Sequence, residues 1–279
     1  MYLVTGASGN VGSHVVDQLL AGGKSVRVFT REPERFAGKP VEIARGDFNE
    51  PQTFAAAIKD ADAVYLMNGR NNAEVICRLL DAARPQPEQR LVFQSTYFAG
   101  SPASTIGQIH RRQEEAVLAA GWSATFLRPT GFMSNVYPWM ETIMNEGVVY
   151  NPMGAGRYSP IAPADIAAVG VLALCDARHA GETYQLTGGD TLSVPEQVSI
   201  LSEVLGRPIR CVEISVEAAV EGLEKRGVPP VMAKAIGESY SAVREGRAVR
   251  ATDTVERLTN RPPIRFRDWA ASVTPALLT

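Results

Sequence analysis

The sequence predicts an α/β fold, a Rossmann-type doubly wound parallel sheet with a small, mostly helical C-terminal lobe. Two observations predict this class. Short apolar runs alternate with amphipathic stretches through the first half of the chain, which is typical of right-handed βαβ crossovers. The alternation changes after Arg128, and beyond Gly188 the pattern is mainly helical. We therefore expect a Rossmann core and a lobe on its substrate side. The core is residues 1–133, completed by about 160–187, and the lobe is 188–279 with 134–159.

Six runs in the first half have the composition of buried strands, because they are rich in β-branched or aromatic residues and are bounded by turn residues. They are Tyr2–Thr5, Ser25–Thr30, Val41–Ala44, Ala63–Met67, Arg90–Gln94 and Ala124–Arg128. Amphipathic stretches between them predict helices. The first helix follows Val11 and ends at Gly22 and Gly23, and the others are expected at Glu50–Ile58, Asn72–Arg84 and Gln108–Ala120.

The chain after residue 130 is predicted to leave the sheet and then return to it. Gly131–Glu146 has a helical pattern, and Val148–Tyr158 carries a proline and two glycines that predict a hairpin or flap. A helix from about Pro163 to Asp176 and a strand at Thr183–Leu186 return to the α/β pattern, and one more strand is expected near Ile209–Ile214. We expect the excursion and the tail to cover the carboxyl ends of the strands, where doubly wound sheets bind their ligands.

The amino-acid composition limits the kinds of binding partner that we expect. The net charge is −2 and charged residues make up 21% of the chain, which indicates neither a nucleic-acid nor a membrane partner. Cys77, Cys175 and Cys211 show no metal-ligand spacing, so we expect buried, reduced thiols and no metal site. The first residues enter a strand without a basic leader, which favours a cytoplasmic protein. We also expect a small-molecule substrate and either a monomer or a homodimer.

The strongest motif is a glycine loop between the first strand and the first helix, with the spacing Gly6-x-x-Gly9-x-x-Gly12. The first glycine permits a tight turn, the second lets a pyrophosphate approach the backbone, and the third packs the helix on the sheet. Exposed N–H groups at the helix start then bind the anion. The residues expected to bind a dinucleotide here are Gly6, Ser8, Gly9, Asn10, Val11 and Gly12.

The end of the second strand bears on which dinucleotide binds. An NAD enzyme usually carries Asp or Glu there, to hold the ribose 2′-hydroxyl. In this chain Thr30 holds that position and Arg31 follows it, and a guanidinium suits a 2′-phosphate. This favours NADP(H), with NAD(H) still possible. The alternative is a solvated arginine among the charges of a loop.

Other residues at strand ends are expected beside the cofactor. Asp47 can reach the adenine edge with Phe48 packed beside it, although Asp47 is nearly as well explained as the cap of a turn. The fourth strand ends where the chain should pass the ribose. The remaining residues expected to contact the cofactor are Met67, Asn68, Ser95, Thr96 and Pro129.

The chain resembles the atypical short-chain dehydrogenase/reductase superfamily, in its NmrA-like branch. The resemblance covers essentially the whole chain. It rests on the glycine loop, Arg45-Gly46-Asp47-Phe48, Phe126-Leu127-Arg128-Pro129 with Gly131-Phe132-Met133-Ser134-Asn135, and Ala164-Asp165-Ile166-Ala167. Members of the branch include NAD(P)H-dependent quinone reductases, plant ether and lignan reductases, and redox-sensing regulators that bind NADP without turning it over.

The leading functional hypothesis is therefore an NADPH-dependent reductase of a small, apolar, electron-poor substrate, with a quinone as the best single candidate. The first alternative is a non-catalytic NADP(H) sensor. The second is a biosynthetic isomerase or cyclase that retains the cofactor site as a scaffold.

Catalytic residues are less well indicated than cofactor residues. The superfamily pattern uses Tyr and, four residues later, Lys on one helix face, whereas this chain has His110 and Glu114 at that spacing. His110 could donate a proton with its pKa raised by Glu114, could hold the nicotinamide ribose, or could be a surface residue paired with Glu114. Tyr97 is a further candidate for the missing tyrosine.

A group of large apolar side chains follows the sixth strand. These side chains are suited to lining an apolar substrate pocket, but they fit the packing core of the lobe equally well. They are Phe132, Met133, Tyr137 and Trp139.

Overall fold

The computed structural model describes residues 1–67, 73–101, 103–248 and 251–277. Its strands, in chain order, are β1 (Tyr2–Thr5), β2 (Val26–Thr30), β3 (Glu42–Arg45), β4 (Ala63–Met67), β5 (Arg90–Gln94), β6 (Ser123–Pro129), β7 (Val148–Asn151), β8 (Arg157–Tyr158), β9 (Thr183–Leu186), β10 (Leu192–Ser193) and β11 (Arg210–Glu213). Its α-helices are α1 (Gly12–Ala21), α2 (Pro51–Ala57), α3 (Ala73–Ala82), α4 (Thr105–Ala119), α5 (Met140–Glu146), α6 (Pro163–Cys175), α7 (Val194–Val204), α8 (Val216–Lys225), α9 (Pro230–Arg244), α10 (Thr254–Thr259) and α11 (Phe266–Leu277).

A seven-stranded parallel sheet forms the centre, in the order β3-β2-β1-β4-β5-β6-β9. The chain winds outward from β1 in one direction and then from β4 in the other. The carboxyl ends of β1 and β4 therefore border the crevice in which such sheets bind ligands. The predicted α/β class, with its doubly wound parallel sheet and mostly helical C-terminal region, is confirmed.

Helices cover both faces of the sheet. Side chains of α1 and α6 form one core with it, where Val15 and Ile166 are fully buried. Side chains of α2, α3 and α4 form the other core, where Phe54, Ile76 and Val117 are fully buried. Burial on both faces explains why the central strands β1, β4 and β5 are mainly apolar.

Asp165 links the sheet to the C-terminal segment. It lies in the first turn of α6 and is fully buried. Its carboxylate accepts hydrogen bonds from Nη1 of Arg261 at 2.7 Å and from the backbone N–H of Ile264 at 2.8 Å. A buried carboxylate needs such partners, since its desolvation is costly otherwise. This contact holds the chain that leads into α11 against the core.

The sequence predicts a hairpin or a flap at Val148–Tyr158, and the hairpin is wrong. β7 pairs in parallel with β11, with Val148 opposite Arg210, and β8 pairs in antiparallel fashion with β10. Glycine and proline correctly indicated a chain reversal, because Gly154 adopts a φ of +56°. They carry no information about which distant segment supplies the strand partner.

The stretch Gly131–Glu146, predicted to be helical, does not form one continuous α-helix. A 3₁₀ helix occupies Met133–Trp139, and the α-helix α5 begins at Met140. Pro138 has no backbone N–H to donate, which disfavours one continuous α-helix through this stretch.

Candidate functional site

The glycine loop is held by two close backbone approaches. Gly6 has a φ of +59°, which favours glycine, and its carbonyl accepts a hydrogen bond from the N–H of Gly9 at 2.9 Å. A Cβ at Gly12 would lie 2.1 Å from the same carbonyl oxygen. Gly6 and Gly12 are therefore required by the turn itself and by the seating of α1.

Gly9 differs from the other two glycines. A Cβ there would meet the Gly6 carbonyl at 3.2 Å and Cε of Met67 only at 4.0 Å. The internal packing thus excludes a side chain at Gly9 far less strictly than at Gly12. Glycine is nevertheless what a pyrophosphate requires at this position, because the ligand must approach the backbone closely. The loop geometry fits a dinucleotide.

Hydrogen bonds connect the loop to its neighbours. Oγ1 of Thr5 donates to the carbonyl of Tyr65 at 3.1 Å and accepts from the N–H of Met67 at 2.9 Å, which ties the ends of β1 and β4 together. Nδ2 of Asn10 donates to Oγ of Ser134 at 3.1 Å, which ties the loop to the 3₁₀ helix. Asn68, expected beside the ribose, lies outside the described residues.

A cavity of about 1060 Å³ extends from the glycine loop and the carboxyl ends of β4, β5 and β6 to helices α8 and α9. Its wall combines residues from the loop, the strand ends and the C-terminal helices. Ten of the residues predicted for the site line it: Asn10, Val11, Met67, Ser95, Thr96, Tyr97, His110, Pro129, Phe132 and Trp139.

Two residues predicted for the substrate pocket belong to the packing of the lobe instead. Met133 is fully buried in a core that includes Leu201 and Phe266. Tyr137 is exposed on one side and packs on Trp269, with ring centroids 5.9 Å apart. Neither is among the described residues that line the cavity. Successive residues of a helical turn face different directions, so one stretch supplies both the core and the cavity wall.

Arg31 stands at the end of β2, with 73% of its side chain exposed and its Nη1 3.8 Å from a carboxylate oxygen of Asp47. The other carboxylate oxygen of Asp47 accepts from the N–H of Asn49 at 2.8 Å, so Asp47 caps its own turn. Because it is largely exposed and only distantly paired with Asp47, Arg31 is held loosely and is available to an anion.

Phe48 stacks on Phe29 with ring centroids 5.6 Å apart.

Two of the three interpretations of His110 require a pairing with Glu114, and the structure shows Glu114 paired with Arg128 instead. Both carboxylate oxygens of Glu114 accept from the guanidinium of Arg128, from Nε at 3.0 Å and from Nη2 at 2.5 Å. Burial lowers the pKa of His110 to about 4 and outweighs the opposing influence of the Glu114 charge. His110 is thus neutral near pH 7, which contradicts the expected rise in its pKa.

Contacts of α4 place His110 in the cavity wall. A Cβ at Gly107 would lie 2.0 Å from the carbonyl oxygen of Phe98, so α4 rests directly on the turn that follows β5. Arg111 donates from Nε and Nη2 to the carbonyl of Ala99, at 3.1 and 2.7 Å. This packing brings His110 and Tyr97 to the wall of the same cavity, although they belong to different elements of the chain.

Two buried polar atoms of the cavity-lining residues have no hydrogen-bond partner among the described residues. They are Oγ of Ser95 and Nδ1 of His110. Buried polar groups are almost always hydrogen-bonded, so two unpartnered atoms on cavity-lining residues make this part of the wall a candidate for binding a polar group of a ligand.

Sequence reasoning missed three tyrosines that line the cavity from β7, β8 and α9, namely Tyr150, Tyr158 and Tyr240. Tyr158, in β8, lines the cavity, and burial raises its pKa to about 12. Its hydroxyl lies 3.4 Å from Oε1 of Gln197. Tyr240, in α9, lines the same cavity. Whether these tyrosines reach the cavity depends on how short strands and helices pack over long sequence distances, and no local sequence pattern predicts that packing.

The described ranges contain no group of three or more His, Cys, Asp or Glu side chains that could hold a metal ion. Within those ranges, no helix combines the length and apolar character needed to cross a membrane. The three cysteines are free, but the expectation that all are buried is wrong, because Cys175 is exposed.

Comparison with known proteins gives a consistent result. Residues 6–176 match a family described as NAD(P)H-binding. The chain is 36% identical to (4-alkanoyl-5-oxo-2,5-dihydrofuran-3-yl)methyl phosphate reductase of Streptomyces griseus, over 97% of each protein. It is 32% identical to NAD(P)H azoreductase of Xenophilus azovorans, over 97% of this chain and 96% of that protein. It also superposes on the NADPH-dependent quinone oxidoreductase of Escherichia coli complexed with NADPH, with a TM-score of 0.84 and 19% identity over 100% of both chains, a similarity that shows the fold alone.

Replacing Gly9 by Val should abolish binding of NADPH and NADH while leaving the protein folded. The added side chain would occupy the space that the pyrophosphate needs, whereas the protein itself blocks Cβ at this position only mildly. Isothermal titration with both cofactors, with circular dichroism to monitor folding, tests this.

Gly22→Val is the matched control, because Gly22 lies at the opposite end of α1 and its Cβ would make only ordinary contacts. A folded Gly9→Val protein with unchanged cofactor affinity would contradict the assignment of the loop.

Proposed function

The chain belongs to the NAD(P)H-binding family, among the atypical short-chain dehydrogenase/reductases, and from this membership we propose that it is an NADPH-dependent reductase. The proposed substrate is a small, apolar, electron-poor acceptor, with a quinone as the leading candidate. The proposal draws chiefly on the cavity beside the glycine loop. Its wall is mostly apolar, and the unpartnered atoms of Ser95 and His110 belong to residues that line it.

The two relatives above 30% identity support an electron-poor acceptor. One is named as an azoreductase. The name of the other describes a lactone ring whose carbon–carbon double bond is conjugated with two carbonyl groups, and this compound also carries a phosphate ester. Azo groups, conjugated lactones and quinones are all hydride acceptors that can delocalise the negative charge they gain. Such an acceptor depends less on a protein acid than an isolated ketone does.

Each part of the site has a distinct task in this proposal. Bound NADPH supplies the reducing hydride equivalent. The glycine loop binds the pyrophosphate, and Arg31 binds the 2′-phosphate. Ser95 and neutral His110 hydrogen-bond the acceptor oxygen or nitrogen and so orient the substrate. Apolar side chains such as Phe132 and Trp139 exclude water from the acceptor ring.

The absence of the Tyr/Lys pair is compatible with this chemistry. At neutral pH His110 can donate a hydrogen bond from its ring N–H but carries no additional proton to release. The proton that completes the reduction then comes from solvent at the open side of the cavity. Tyr97, which lines the same wall, is the remaining candidate for a direct donor.

NADPH oxidation in the presence of menadione, a conjugated lactone, an azo dye and benzaldehyde tests the proposed reaction. We expect turnover with one or more of the three delocalising acceptors, and much slower turnover with benzaldehyde, whose reduction needs a protein acid. Tight NADPH binding without oxidation by any acceptor would favour the non-catalytic sensor instead.

Replacing Arg31 by Ala should weaken NADPH binding by about 1.5 to 3 kcal/mol, the contribution of a charge-assisted hydrogen bond, and should leave NADH affinity nearly unchanged. Fluorescence titration of both cofactors measures the difference. Arg35→Ala is the matched control, because that arginine lies nearby and pairs with Glu32. Equal losses for the two cofactors would show that Arg31 does not bind the 2′-phosphate.

The pH profile of turnover tests the role of His110. Because burial lowers its pKa to about 4, kcat should be flat between about pH 5.5 and pH 8. His110→Phe should lower kcat/KM about tenfold through the lost hydrogen bond, and His110→Asn should restore part of it. The control is His14→Gln, on the exposed face of α1. A rate that falls across pH 6 to 8 only when His110 is present would identify it as a protonated donor.

The same shift makes the stability of the fold depend on pH. The unfolded chain binds a proton at His110 near pH 6.5, whereas the folded chain does so only near pH 4. The contribution of neutral, buried His110 is therefore fully present above about pH 6.5 and is lost as the pH falls toward 4. His110→Phe should lose less stability than the wild type over this interval in denaturant unfolding.

A further inference from the structure

The cavity wall has a one-sided charge distribution. No Asp or Glu is among the described residues that line it. The side chains in the wall that carry, or can acquire, a charge of the positive sign are His110, Lys225, Arg226 and Arg247. Since His110 is neutral near pH 7, the permanent positive charge comes from the lobe alone.

Two of the three permanent cations have no partner. Arg247 forms an ion pair with Glu245, with its Nε 2.8 Å from a carboxylate oxygen. The side chains of Lys225 and Arg226 form no ion pair or hydrogen bond with any residue in the described ranges. Two adjacent cations beside a cavity repel each other, and an anion placed between them would relieve that repulsion.

Helix α8, which ends at Lys225 and is followed by Arg226, leaves open space beside the cavity. One face of α8 lines the cavity with small or apolar residues, Ala218, Ala219, Gly222 and Leu223. A Cβ at Gly222 would meet no atom within 4 Å, so the cavity is open here. The position of α8 is fixed by close packing on α9, because a Cβ at Gly237 would lie 2.6 Å from a methyl group of Val220.

The positive charge of Arg226 influences the pKa of Tyr240, which lines the cavity. Burial raises the pKa of Tyr240, and the nearby positive charge of Arg226 opposes that rise. Lys225 is the last residue of α8 and Arg226 follows it, so both also complement the negative end of the helix dipole. The dipole explains cations at this end of a helix. It does not explain why both line the cavity without a counter-ion.

We propose that Lys225 and Arg226 form an anion subsite that binds an oxyanion substituent of the substrate, such as a phosphate, carboxylate or sulfonate group. This inference rests on the proposed reductase function and specifies its substrate class. The electron-poor part of the substrate lies toward Ser95 and His110. The small and apolar face of α8 leaves space for the substrate beside these cations.

Turnover of two quinones that share one ring system tests the subsite. Menadione carries a methyl group at the position where naphthoquinone-2-sulfonate carries a sulfonate. Lys225→Gln/Arg226→Gln should lower kcat/KM for the sulfonate about tenfold more than for menadione, mainly through KM. Raising the salt concentration should reduce the wild-type discrimination as well, because the two cations are exposed.

The control is Lys234→Gln/Arg265→Gln, which removes the same charge from two exposed positions that do not line the cavity among the described residues. Equal losses for the two quinones in Lys225→Gln/Arg226→Gln would overturn the subsite. A selective loss of NADPH over NADH affinity in that variant would also overturn it, because the cations would then bind the cofactor phosphate.

A binding experiment separates failure of the subsite from failure of the reductase proposal, since it requires no turnover. Calorimetric titration of the NADP⁺-loaded protein should show naphthyl phosphate or naphthoate binding at least about tenfold more tightly than naphthol, and the advantage should disappear in Lys225→Gln/Arg226→Gln. The comparison of phosphate with carboxylate identifies the preferred oxyanion. Equal affinity for both anions and naphthol would refute the subsite even if quinone reduction is observed.

Discussion

The seating of α1 on the turn after β1 is the constraint on which the site depends. Gly12 can approach the Gly6 carbonyl only because it has no side chain, and Gly6 can turn the chain only because it tolerates a positive φ. This packing directs the first turn of α1 toward the strand ends. Thr5 then joins β1 to β4 at the same edge, through hydrogen bonds to the backbone on either side of Leu66. The ligand crevice follows from these contacts.

The C-terminal helices border the cavity, and a few polar contacts join them to the rest of the structure. Glu238 of α9 accepts hydrogen bonds from the backbone N–H and Oγ1 of Thr105, both at 3.0 Å, which joins the lobe to the start of α4. Asp165 performs a comparable task for the segment before α11. Such contacts orient the apolar surfaces around the cavity, while hydrophobic burial supplies most of the stabilisation.

Charge is unevenly distributed around the candidate site. Glu114, four residues after His110, is paired with Arg128. Burial therefore has the larger influence on the pKa of the His110 imidazole. The cavity wall near Ser95 and His110 is therefore nearly uncharged, whereas the proposed anion contacts, Arg31 and the Lys225–Arg226 pair, belong to segments distant from these residues in the chain. A low local charge suits transfer of hydride to an acceptor that delocalises its own negative charge.

The sequence by itself determined the sheet, the glycine loop and the family, because these depend on local periodicity and on the steric requirements of glycine at Gly6 and Gly12. Strand ends in the sheet differ from the expected ends by about one residue. Tertiary structure alone decided the partner of Glu114, the strand partners of β7 and β8, and the separation of Phe132 and Trp139 from Met133 and Tyr137. Each of these depends on contacts between segments distant in the chain, and neither hydrophobic period nor helical spacing specifies which distant group arrives.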